Sequence, residues 1–122
     1  MKLYEEIIFL QKWFKGKFVV ENVISYYEPL IKPIKLDRHY FWSNFNISSF
    51  KSPERKFNLT NARATTRRKH LDCQKDLEVF HNIYLTIRST KAELLLRNCV
   101  YPPLGKHILD CAFKNKQEVL KL

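Results

Sequence analysis

An α/β domain is what this chain predicts, on three observations: an apolar stripe at helical spacing near the amino terminus, a β-branched run directly after it, and a second helical stripe near the carboxyl terminus. Leu3, Ile7, Leu10 and Phe14 recur at spacings of four, three and four, which places them on one face of a helix that Gly16 would end. Glu5 and Glu6 fall in its first turn and Lys12 and Lys15 in its last, the arrangement a helix dipole favours. Phe18, Val19 and Val20 follow at once. Such a run suits a strand covered on both faces, as in a parallel sheet. A helix joined to a strand by two or three residues is half of an α/β repeat, and a helix at the very start needs a preceding strand to pack on. That strand is not in the sequence.

After Val23, Pro29 and Pro33 forbid a long regular helix and predict an irregular connection. The next strand is expected over 38–47, with Phe41, Phe45 and Ile47 on one face and Tyr40, Trp42 and Asn44 on the other. From Ser48 to Lys69 the chain is polar and basic without a clean period, and reads as an inserted surface. Leu71, Leu77, Val79, Phe80 and Tyr84 predict a helix over 71–84, while Ala92 to Leu96 fits either a helix end or a short strand. Pro103 suits a first helical turn, and Leu104, Ile108, Cys111 and Ala112 then share one face of a helix running to Asn115.

At 122 residues and 45% apolar, with nine Phe, six Tyr and two Trp, the chain can bury a core and is not a disordered segment. Its net charge is +10, and seven basic residues lie between Lys51 and Lys69 against one acid, Glu54. Those are Lys51, Arg55, Lys56, Arg63, Arg67, Arg68 and Lys69, a cluster that attracts a nucleic-acid backbone through counterion release. Cys73, Cys99 and Cys111 are odd in number and irregularly spaced, so free thiols and a reducing, cytoplasmic setting are expected. No apolar run approaches the roughly 18 residues that span a bilayer. The pairs His70–Cys73 and His107–Cys111 match no common zinc module, and no metal is expected.

Chemistry in open α/β sheets gathers at the carboxyl ends of strands, which singles out Glu21 in Glu21-Asn22-Val23. A second cluster, Asn98-Cys99-Val100 followed by Pro102, Pro103 and Gly105, opens the last helix. These pieces, in this order and with Arg38-His39-Tyr40-Phe41-Trp42 between them, resemble the carboxyl-terminal half of DNA (cytosine-5) methyltransferases of the bacterial and phage type. The chain departs from that family's pattern at Arg97, where glycine is usual, at the extra Tyr101, and around Arg38, where the arginine-bearing motif is reduced.

The resemblance implies a partial Rossmann-like, S-adenosylmethionine-dependent methyltransferase domain. Residues 1–47 would be the second half of the catalytic sheet, 48–88 a short target-recognition insert, and 89–122 the returning motif and helix. It implies that double-stranded DNA is bound with a cytosine flipped out of the stack, attacked at C6 by a thiolate and methylated at C5. Glu21, with Asn22 beside it, takes the catalytic position, because a carboxyl desolvated at a strand end can donate to a ring nitrogen. Arg38 would orient the base or a phosphate through its forked donors. Asn98 and Val100 would line the cofactor pocket, and the basic insert, from Lys51 to Lys69, would hold the duplex.

The family's Pro-Cys nucleophile and glycine-rich cofactor loop are both missing, for no Pro-Cys pair occurs and the only glycines are Gly16 and Gly105. Cys73 follows Asp72 on a predicted helix and is not the nucleophile. The chain is therefore expected to be a subunit of a split enzyme or a remnant, inactive alone. A basic nucleic-acid-binding module that uses no Glu21 chemistry is the rival reading.

Overall fold

The structure, a computed structural model, describes residues 2–54 and 67–120, and the backbone alone over 67–72 and 115–120. Its elements in order are α1 (Lys2–Trp13), β1 (Val19–Val23), β2 (Ile34–Leu36), β3 (His39–Ser43), α2 (Arg67–His81), α3 (Thr90–Asn98) and α4 (Pro102–Leu120). They form two compact units, one of Met1–Lys51 with Leu104–Leu122 and one of Ser52–Pro103.

In the first unit the three strands form one sheet in the order β1-β3-β2, antiparallel at both ladders. β1 and β2 therefore run in the same direction with β3 reversed between them. Glu21 lies across from Phe41, Val23 from His39 and Leu36 from His39, so Glu21, His39, Phe41 and Leu36 share one sheet face. Val20, Tyr40 and Trp42 share the other, and α1 covers it with Tyr4 and Ile7. Tyr4 meets Trp42 edge-on at 6.3 Å, and the Trp42 indole donates to the Ile31 carbonyl at 2.8 Å, so Trp42 is core. Ile7 is fully buried and its truncation to alanine should cost about 2–5 kcal/mol.

Three expectations are corrected here. β1 is an edge strand whose exposure alternates, with Val19 and Val23 each 41% exposed, because an antiparallel edge is half-buried rather than sandwiched. β3 stops at Ser43, since Asn44 turns its side chain back to accept from the Phe18 N–H at 2.9 Å and to donate to the Gly16 carbonyl at 2.9 Å. Gly16 is not a left-handed helix cap: α1 ends at Trp13, and a Cβ at Gly16 would stand 2.7 Å from the Phe14 ring. β2 was not anticipated. It is short and joins β3 through Asp37, whose φ of 53° is one that Asp and Asn tolerate better than most residues.

α4 buries Leu104, Ile108, Cys111 and Ala112, the face read from the sequence, and Lys17 Nζ donates to the Ala112 carbonyl. In the second unit α2 packs on α3, and Leu77 of α2 and Ala92 and Leu96 of α3 are buried. α2 ends in a Schellman motif: Asn82 takes φ 54°, its N–H donates to Val79 O at 3.3 Å, and Ile83 N–H donates to Glu78 O at 3.1 Å. Ser89 caps α3, its hydroxyl accepting from Ala92 N–H at 3.2 Å. The segment 90–98 is therefore a full helix, and Arg97, where the resembled family has glycine, lies within it and pairs with Glu93.

Candidate active site

Glu21 sits in the middle of β1 rather than past its end, and a diagonal across the ladder brings it to His39. Glu21 Oε1 stands 3.4 Å from His39 Nε2. The imidazole is 1% exposed and the carboxylate side chain 40% exposed, so a fixed ring holds one oxygen of a group still open to solvent. The Glu21 carboxyl is thus less desolvated than the sequence reading expected, because β1 has no neighbour on its outer side among the described residues. Phe41, 2% exposed, packs beside His39 with ring centroids 6.2 Å apart and supplies an apolar floor.

The other expected residues fall elsewhere. Asn22 projects to the opposite sheet face, and its Oδ1 accepts from the Val23 N–H at 2.9 Å. Its contact is with backbone. Arg38 is exposed in the turn before β3, where its carbonyl accepts from the Ile24 N–H at 3.4 Å. His39, the next residue, is the one that reaches Glu21. Sequence reasoning missed it. Strand alternation was the available signal, since it sets His39 on the Phe41 face and Arg38 off it, but only the register tells which face carries Glu21.

Asn98 ends α3, and Val100 is half-buried in the connection to α4; both belong to the second unit. Of the basic insert, Lys51 is exposed, while Arg55, Lys56 and Arg63 lie outside the described residues. Arg67, Arg68 and Lys69 occupy the first turn of α2, which contains no acid. Their side chains are likewise outside the described residues. Three cations at the positive end of a helix dipole are an unfavourable arrangement.

His107 and Cys111 do meet, with Nε2 3.6 Å from Sγ, and Ser48 Oγ lies 3.2 Å from the same nitrogen. Among the described residues no group of three or more His, Cys, Asp or Glu could hold a metal ion. All three cysteines are free thiols. Nor does either glycine form a cofactor cradle: a Cβ at Gly105 would meet nothing within 4 Å, and Gly16 faces the Phe14 ring. Among the described residues no helix is long and apolar enough to cross a membrane. No family model, no curated protein and no solved structure matches this chain.

Proposed function

We propose that this chain is the carboxyl-terminal part of a cytoplasmic DNA (cytosine-5) methyltransferase, completed by a second chain that carries the glycine-rich loop and the Pro-Cys nucleophile. The observation that carries this reading is the Glu21–His39 pair: a carboxylate open to solvent on one side and anchored by a buried imidazole on the other. The sheet supports it. Two strands in one direction with a reversed strand between them suit one margin of a mostly parallel doubly wound sheet, whose mixed edges are common.

The resemblance assigns a part to this chain's own residues, and the geometry is compatible with it. A cytosine swung out of the duplex presents its N3 edge, and Glu21, oriented by His39, holds that edge as the C6 position is attacked. Phe41 keeps the floor of the pair apolar and water-poor. Tyr26 and Tyr27 stand exposed just beyond β1, where an unpaired base could stack. Arg67, Arg68 and Lys69 at the start of α2, with Lys51, Arg55, Lys56 and Arg63, hold the phosphate backbone. S-adenosylmethionine supplies the methyl group when bound. Asn98 and Val100 do not make a site for it by themselves, so the second chain has to provide most of that pocket.

The test is methyl transfer from labelled S-adenosylmethionine to duplex DNA, with this chain alone and with the polypeptide encoded immediately upstream. Transfer in the mixture only, cut about 10²–10⁴-fold by Glu21→Gln while DNA affinity stays within about twofold, is the expected result. DNA binding with no transfer in either tube would instead favour a non-enzymatic binding module, which the basic insert alone would explain.

A further inference from the structure

The ladder between β1 and β3 fixes which backbone groups of β1 remain on offer. Ile24 N–H donates to Arg38 O at 3.4 Å and Asn44 N–H to Phe18 O at 3.4 Å, so even-numbered residues of β1 turn their peptide groups toward β3. Val19, Glu21 and Val23 therefore turn theirs outward. Val23 N–H is already taken by Asn22 Oδ1 at 2.9 Å, which closes the carboxyl end of that edge. Among the described residues nothing pairs with the outward groups of Val19 and Glu21. Beside them an apolar cavity of about 410 Å³ opens between β1 and α4, lined by Phe18, Val19, Phe45, Ile108, Leu109 and Phe113. An apolar cavity of about 150 Å³ accepts a benzene ring, so this one takes at least one aromatic side chain.

We propose that the outer edge of β1 at Val19 and Glu21, with the adjoining cavity against α4, receives a β-strand of a different, acidic chain, one apolar side chain of which seats in the cavity. The proposal rests on the split-enzyme reading and names its joining surface. The edge demands a strand, because only extended backbone matches outward N–H and C=O groups at two-residue spacing. A second copy is the wrong occupant: antiparallel pairing of two β1 strands about Glu21 would set two carboxylates opposite each other, between chains that each carry +10. That charge instead favours an acidic partner. A strand added at this edge also brings its own carboxyl end beside Glu21, the place where chemistry contributed by the other chain has to arrive.

The test is residue-resolved amide hydrogen exchange on the whole chain, alone and mixed with the polypeptide encoded immediately upstream. Alone, the Val19 and Glu21 amides should exchange about tenfold or more faster than those of Val20 and Asn22. In the mixture they should slow by a similar factor. Val19→Pro, which deletes an outward donor on an edge strand, and Leu109→Asp, which puts a charge in the cavity from an exposed helix position, should each weaken the complex about tenfold with circular dichroism unchanged. A complex that forms without slowing those two amides, or that both variants leave at full affinity, overturns this surface and leaves the split enzyme standing. Absence of any complex overturns both. Protection of Val19 and Glu21 in the chain alone that grows with its own concentration seats a second copy there and overturns the proposal.

Discussion

Glu21 and Glu78 show how differently two glutamates of one chain are placed. Glu78 is 2% exposed, and its Oε1 accepts from Gln74 Nε2 at 3.0 Å, from Leu85 N–H at 3.3 Å and from the Arg88 guanidinium at 2.9 Å. The Gln74 amide above all, then the Leu85 N–H and Arg88, hold its carboxyl below the ordinary value, against the opposing pull of burial. A folded-state pKa below the unfolded one adds stability above the unfolded pKa, and that stability is lost as pH falls through the folded pKa. The stability Glu78 contributes should therefore be fully present near neutrality and be lost at acid pH, beginning below the ordinary glutamate value of 4.5. Glu78→Gln should remove that dependence and lower stability at pH 7, both read by denaturant titration at several pH values. Glu21 is the opposite case, one oxygen against His39 and the side chain open to an incoming group. If the chain is completed to an enzyme as proposed, Glu21→Gln should cut turnover by about 10²–10⁴-fold, and His39→Ala should cut it less, because His39 would act through Glu21.

At the scale of elements, the helix ends carry the clearest expectations. Asn82 closes α2 at φ 54°, where a side chain with a β-carbon is strained and glycine is not. Asn82→Gly should leave thermal stability level or slightly raised, whereas Asn82→Val should cost about 1–2 kcal/mol. Ser89→Ala should cost about 1 kcal/mol by freeing the Ala92 N–H. The last helix was legible in its buried face because apolar residues at three- and four-residue spacing mark one side: Leu104, Ile108, Cys111 and Ala112 are all buried. α1 was legible in extent but not in rotation, for Tyr4 rather than Leu10 faces Trp42. β2 could not be found, since its three residues are too few to show a period.

For the whole molecule, charge is the dominant quantity. If the basic insert binds duplex phosphates, neutralising Arg63, Arg67 and Arg68 together should flatten the slope of log Kd against log salt by about 3 and weaken all sequences alike. Fluorescence anisotropy at several salt concentrations reads it. A net charge of +10 also keeps copies of the chain apart, which an acidic partner would relieve.

Local order along the chain determined the helices at both ends, a strand next to Glu21 though not one running through it, and the basic run from Lys51 to Lys69, because each is written in adjacent residues. Tertiary structure alone decided the antiparallel order β1-β3-β2, the exposure of β1 as an edge and the meeting of Glu21 with His39. The reason is register. A side-chain period of two assigns each strand residue to one of two faces, but which residue of a distant strand lies across from it depends on how the turn at Asp37 and the Asn44 contacts align the backbones.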